Sequence, residues 1–365
     1  MKKKFLAVLL SGTMAAALLA GCGSSDDSSD DETEAAETEA AEETDAAEET
    51  DTEETEAAEE EEDAEASDGT VYRIAILQQL EHDALDNATE GFIDACYDLF
   101  GEDNVEITTQ NAQGESSNCT TIANQYVADD VDLIMANATT ALQSCAAATD
   151  EIPILGTSVT DYATALDISD WTGATGTNIS GTSDLAPIDE QADMLMELVP
   201  DVEKVGIVYC SAEANSVYQA ELFEEAMDEY GVEWAEYTAA DSNEIQSVVT
   251  SAVSECDAIY IPTDNTMAAN TEIINNICEP AGVPVIAGEE GICEGCGIAT
   301  LSISYYDIGY MTGEMAYDIL VNGADITTMD IQYAEDITKE YNAELCESLG
   351  ITVPDDYVAL ETDEE

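Results

Sequence analysis

The chain has 365 residues and carries 83 Asp+Glu against 6 Lys+Arg, a formal net charge of -77. With no basic patch to neutralise phosphates, nucleic-acid binding is excluded. Of those cations Lys2, Lys3 and Lys4 sit at the extreme N-terminus, so the rest of the chain keeps Arg73, Lys204 and Lys339.

Lys2–Lys4 form a positive n-region, and Phe5 to Ala20 is an apolar stretch of secretory-signal length, too short for a membrane span. Leu19-Ala20-Gly21-Cys22 looks like a bacterial lipobox, so residues 1–21 read as a lipoprotein signal peptide and Cys22 as a lipid anchor on the extracytoplasmic face of the cell membrane. Residues 22–68 are almost entirely Asp, Glu, Ala, Ser and Thr after the cysteine. Mutual repulsion and the lack of apolar surface predict a disordered acidic linker. Such a tether would span roughly 35–40 Å, and more with self-repulsion.

From residue 69 onward β-rich runs alternate with amphipathic ones. VYRIAILQQ (71–79) predicts a strand and DALDNATEGFIDACYDLFG (83–101) a helix. VEITTQ, VDLIMAN and IPILGTS follow as strands, with NCTTIANQYVADD and TTALQSCAAATD as helices between them. The pattern then restarts. EKVGIVYC, VEWAEYT, DAIYIPTD and VPVIAG read as strands, and EANSVYQAELFEEAMDEYG, SNEIQSVVTSAVSECD and MAANTEIINNICEPAG as helices. Element for element the halves match, VDLIMANATT with CDAIYIPTDN and IPILGTSVTD with VPVIAGEEGI. Alternation of this kind predicts parallel sheets with right-handed crossovers, hence an α/β protein of two Rossmann-like lobes.

In such sheets ligands bind outside the carboxyl ends of the strands. Here those ends carry Gln78-Gln79, Asn137 to Thr140, Thr157-Ser158, Asp161, Ser211, Asn215, Thr263 to Asn265 and Glu289-Glu290. Singly, each Thr, Ser or Asp serves equally well as a helix N-cap. As a set repeated in both halves they point to a shared small-molecule cleft.

The stretch from Tyr72 to about Val358 resembles the ABC transporter substrate-binding lipoproteins of the tryptophan/tyrosine-binding (TrpX-like) group. QQLEHDALDNATEGF, QNAQGESSNCTTIANQYV, DLIMANATTALQ, IPILGTSVTDYATA, NISGTSD, GIVYCSAEANSVYQ, YIPTDNTMA and ISYYDIGYMTGEMAYDIL carry the resemblance. It implies a type I periplasmic-binding fold, its two lobes joined by a three-stranded hinge. Lobe 1 would take about 70–180 plus a returning C-terminal segment, and lobe 2 about 181–300. It also implies delivery of a ligand, in several members an aromatic amino acid, to a membrane permease driven by a separate ATPase. No P-loop is present, no cofactor is expected, and a monomer suffices.

A free amino acid is a zwitterion. With Arg73 and Lys204 inside predicted strands and Lys339 near the C-terminus, its carboxylate would rest on helix N-terminal N–H groups and on Thr139, Thr140 and Ser158. For the ammonium group Asp264 and Asp161 lead, followed by Glu289; Asn215 and Asn265 could bridge, and Gln79 adjoins them. Tyr305, Tyr306, Trp171 or Tyr162 would line an aromatic pocket or simply pack. His82, the sole histidine, is either a ligand contact or a cap of the first helix, and its solitude excludes a multi-histidine metal site.

Beyond Cys22 nine of the 10 cysteines remain. Most fall within predicted elements as buried thiols, and Cys293-x-x-Cys296 reads as structural thiols or a local disulfide. Catalysis is not expected, since a triad could use only His82 and no G-x-S-x-G elbow exists. Two alternatives keep the fold: a ligand sensor docking on a receptor, or capture of a nucleoside or sugar. An aromatic content of 6% weighs against the sugar.

Overall fold

The apolar, β-branched runs form strands because both of their faces are covered, and this requires parallel sheets sandwiched by helices. In the computed structural model residues 70–334 and 336–360 are described. The signal segment, Cys22 and the acidic linker lie outside the described residues. The first sheet is built from β1 (Tyr72–Gln78), α1 (Asp83–Phe100), β2 (Val105–Asn111), α2 (Ser116–Ala128), β3 (Leu133–Asn137), α3 (Thr139–Ala148), β4 (Ile154–Thr157), α4 (Tyr162–Ala165) and β5 (Ile179–Ser183). The second follows with α5 (Ile188–Leu198), β6 (Lys204–Cys210), α6 (Ala214–Tyr230), β7 (Glu233–Ala239), α7 (Ile245–Val253), β8 (Ala258–Ile261), α8 (Asn265–Ala268), α9 (Thr271–Ala281), β9 (Val285–Ala287), α10 (Glu290–Cys296) and β10 (Ala299–Ser302). The chain then returns through α11 (Tyr305–Leu320) and β11 (Gln332–Tyr333), and ends in β12 (Thr338–Tyr341), α12 (Ala343–Leu349) and β13 (Val358–Ala359).

The strand orders are β2-β1-β3-β4-β5-β11 and β7-β6-β8-β9-β10-β12-β13. Their first five positions are equivalent, so the repeated element order is a repeated topology. All pairings are parallel except β10 with β12. The chain changes sheet at residues 184–187, at 303–304 and again between β11 and β12, the three crossings that the resemblance to a type I periplasmic-binding fold implies.

Strand alternation sends Ile74 and Ile76 to one face of the first sheet, with Phe92, Leu133, Met135 and Met315. Ala75 and Leu77 go to the other, with Tyr126, Ile134 and Leu142. α1 and α11 pack so closely that a Cβ at Gly91 would lie 2.1 Å from the Tyr306 carbonyl oxygen, and one at Gly309 2.1 Å from that of Ala88.

One expectation needs correction. The run MAANTEIINNICEPAG is not one helix: α8 stops at Ala268, and α9 begins at Thr271. Asn270 interrupts it, its side-chain Nδ2 donating to the Thr266 carbonyl at 2.8 Å. Of the two readings of Cys293-x-x-Cys296 the structure favours structural thiols, since all nine cysteines among the described residues are free and buried. Burial pushes the Cys96 thiol up to about 12 and likewise raises that of Cys293 well above its ordinary value, which leaves both inert.

Candidate functional site

Both sheets turn their carboxyl ends toward each other. In the order β2-β1-β3-β4 the strand order reverses between β1 and β3, and a crevice opens there. Gln79 follows β1 with its backbone N–H donating to the Asn137 carbonyl at 3.2 Å, and Ala138 N–H donates to Thr157 at 3.0 Å. Gln79, Thr139 and Ser158 are thereby set side by side on adjacent strand ends. The Gln79 Oε1 accepts from Thr140 N–H at 3.0 Å, so Thr140 contributes its backbone here.

Thr139 Oγ1 and Ser158 Oγ are buried without a hydrogen-bond partner. Each sits where the backbone is strained, since Ala138 (φ 84) and Ser158 (φ 53) occupy the left-handed region that favours glycine. Ala138 is also the N-cap of α3 and supplies no capping side chain, and the first turn of α3 holds no acid. Its N–H groups and the two hydroxyls therefore make a donor-rich surface suited to an anion.

Across the crevice stand Asn215, Asp264 and Asn265. Asp264 caps α8, its oxygens accepting from Met267 N–H at 2.8 Å and Cys210 N–H at 2.6 Å. Burial, and then the neighbouring Glu213 charge, push its carboxyl up. Asn215 Nδ2 donates to the Thr263 carbonyl at 2.9 Å, whereas its Oδ1 is buried and unpartnered. His82 stands at the N-cap position of α1 without capping it; its Nε2 lies 3.1 Å from Asn265 Oδ1. Glu289 caps α10, accepting from Gly291 and Ile292 N–H at 2.8 and 2.6 Å. Burial raises its carboxyl, and the His82 charge opposes this. Asp161 caps α4 through Thr164 N–H at 2.7 Å and stands apart from the buried group.

The aromatic candidates separate. Tyr162 packs into the first sheet with its hydroxyl on the Thr182 carbonyl at 3.0 Å, Trp171 packs on the same core, and Tyr306 is exposed and bonded to Asp94 at 3.0 Å. Tyr305 lines a cavity of about 330 Å³ shared with Asp83, Ala84, Asn87, Glu289 and Glu294. A second cavity of about 280 Å³ draws Gln79, Gln113 and Thr140 from one half and Cys210, Glu213 and Thr266 from the other.

Two carboxylates went unnoticed in the sequence. Asp184 lies on the first crossing between sheets, held by the hydroxyls of Thr160 at 3.0 Å and Tyr305 at 3.2 Å. Complete burial pushes its carboxyl up to about 6, against those hydrogen bonds and the His82 charge. Glu213 is 4% exposed and accepts from the backbone and side chains of Asn265 and Thr266. In so acidic a chain no local signal marks either; NISGTSD ends on Asp184, and that motif was the available hint.

The cations are elsewhere. Arg73 Nη1 donates to the Asp129 and Asp130 carbonyls, Lys204 faces Glu233 and Glu255, and Lys339 faces Glu197 and Asp356. Among the described residues no cluster of His, Cys, Asp and Glu could hold a metal ion, and no helix is long and apolar enough to cross a membrane.

Residues 73–364 match the family model described as ABC transporter substrate binding protein. The chain is 30% identical over 334 residues to the tyrosine-binding protein of Clostridioides difficile, covering 90% of this chain and 88% of that one. Among solved structures, an ABC domain of Streptococcus pneumoniae in complex with L-Trp is 30% identical, with a TM-score of 0.75 over 78% of this chain and 97% of its own. The ligand-free, open structure of a Clostridium difficile substrate-binding protein with adhesive properties is 34% identical over 80% of this chain and 100% of its own, yet its TM-score is 0.62. The more identical chain superposes less well, in keeping with the approach of α3 and α4 to α6 and of α1 to α10 here.

Proposed function

This chain belongs to the ABC transporter substrate-binding proteins, which act outside the cytoplasm, and on that premise we propose that it captures a zwitterionic aromatic amino acid between its two sheets. One observation carries the reading: Thr139 Oγ1, Ser158 Oγ and Asn215 Oδ1 are buried at the facing strand ends with no partner. Buried polar groups are almost always satisfied, so a set left open at one crevice is a ligand's complement. The hydroxyls and the α3 N-terminus suit a carboxylate, while the amide oxygen and the surrounding acids suit an ammonium group. With no Lys or Arg among the described residues of the crevice, sulfate, phosphate and dicarboxylates fit poorly. The relatives named for tyrosine and crystallised with L-Trp support an aromatic side chain, and Tyr305 offers it a wall.

The loaded protein, a monomer, hands its ligand to a membrane permease whose ATPase is a separate chain. Lipidation of Cys22 holds it at the outer face, and the acidic residues 23–68 give it reach. The family is one of solute binders rather than enzymes.

A thermal-shift series with L-tyrosine, L-tryptophan, L-phenylalanine, nucleosides and sugars tests the reading. Ligand at 100 times its Kd should stabilise the protein by about 2.7 kcal/mol. A shift with a nucleoside or sugar and none with an aromatic amino acid would overturn it.

A further inference from the structure

We propose that Glu213 is a positioning residue that fixes which way round the ligand sits, its amine toward the β6–β10 half and its carboxylate toward the β1–β5 half. This rests on the amino-acid reading above.

Glu213 occupies the N-cap position of α6 but makes no capping bond to its own helix. Its side chain reaches instead to the start of α8. Oε1 accepts from Thr266 N–H at 2.9 Å and from Thr266 Oγ1 at 2.6 Å. Oε2 accepts from Asn265 N–H at 3.1 Å, Asn265 Nδ2 at 2.7 Å and Asn215 Nδ2 at 3.5 Å. Every group that hydrogen-bonds this carboxylate is a donor, and its charged neighbour is Asp264. An amide has a donor end and an acceptor end, so pinning both Nδ2 groups on Glu213 turns both Oδ1 atoms away from it. Asn215 is held the same way by the Thr263 carbonyl at 2.9 Å.

Of the two oxygens so presented, Asn265 Oδ1 lies 3.1 Å from His82 Nε2 and Asn215 Oδ1 is buried with no partner. This half therefore shows the ligand one open acceptor, Asn215 Oδ1. The opposite half shows the hydroxyls of Thr139 and Ser158, also buried and unpartnered, beside the N-terminus of α3, where Ala138 offers no capping side chain and Gln79 Oε1 takes the Thr140 N–H. A zwitterion fits between them in one orientation, because the reverse would set ammonium against N–H groups and carboxylate against amide oxygens.

Glu213→Gln tests this, because glutamine can offer its own NH2 to either asparagine and so let the amides turn. Competition binding should show L-tyrosine affinity falling about 10- to 100-fold, while 3-(4-hydroxyphenyl)propanoate, which lacks only the amine, changes less than about threefold. Thr139→Ala should do the converse, weakening L-tyrosine while sparing tyramine, which lacks the carboxylate. Equal loss of both acids in Glu213→Gln, or an unchanged ratio between them, overturns the proposal, as does an equal effect of Thr139→Ala on tyramine. If Glu213→Gln does not fold, Asn215→Ala with the same two acids decides by the same ratio. Failure of the unsubstituted protein to bind L-tyrosine or any other amino acid would instead defeat the reading beneath it.

Discussion

His82 Nε2 and Asn265 Oδ1, 183 residues apart in sequence, meet at 3.1 Å and tie the start of α1 to the start of α8 across the crevice. The Asn265 amide nitrogen is committed to Glu213, so its oxygen faces the imidazole, and Nε2 must be the donor. The pair joins elements of different sheets and can exist only when the halves are together. His82→Ala should weaken ligand binding about 3- to 10-fold, mainly through faster dissociation. Stopped-flow release of L-tyrosine would check this; an unchanged off-rate with a slower on-rate would contradict it.

Thr139→Ala and Ser158→Ala should each weaken binding about 10- to 100-fold, since each removes a hydrogen bond to a charged group. Neither should destabilise the unliganded protein by more than about 0.5 kcal/mol, because the hydroxyl deleted has no partner there. Paired calorimetry and urea unfolding would separate the two effects. A large stability loss with unchanged affinity would show that the hydroxyls serve the fold.

Asp184 makes the unliganded protein pH-sensitive in a defined direction. Burial holds its carboxyl at about 6 in the fold against an ordinary value of 3.8, so the folded form holds the proton more tightly. The stabilisation is fully present below the unfolded value and fades as pH rises through about 6, amounting to about 3 kcal/mol at most. Comparing Asp184→Asn with the unsubstituted protein from pH 4 to pH 7 should show the difference moving in the variant's favour as pH rises. A difference constant across that range would be the contrary result.

Gly91→Ala should cost on the order of 3 kcal/mol, because the added methyl would meet the Tyr306 carbonyl oxygen at 2.1 Å and force α1 from α11. The site lies in the packing of one half, so the surviving folded protein should still bind. A chemical-denaturation midpoint unmoved by the substitution would show that the helices have room to shift.

Much of the architecture is legible in the chain because periodicity is a local property. An alternation such as that of Ile74 and Ile76 with Ala75 and Leu77, followed by an amphipathic run, can be satisfied only by a strand covered on both faces and a crossover helix. The break at Asn270 was missed because one side chain taking a backbone carbonyl leaves no mark on hydrophobic pattern. The strand ends as a binding region follow from topology, and Thr139, Ser158 and Asn215 could be picked out there as polar residues at the right positions.

Sequence by itself determined the two α/β halves, their common element order and the scarcity of cations, Arg73, Lys204 and Lys339, after the N-terminal lysines. Only the tertiary structure decided which polar residues are spent and which are left open. Asp161, Asp264 and Glu289 cap helices, whereas Thr139, Ser158 and Asn215 keep an unpartnered oxygen. It alone raised Asp184 and Glu213 from among 83 acidic residues into buried positions at the crevice. The reason is physical. A hydrogen-bond partner is chosen by proximity in space, and Glu213 finds Asn265 across 52 residues and His82 finds it across 183, distances over which no local pattern carries information.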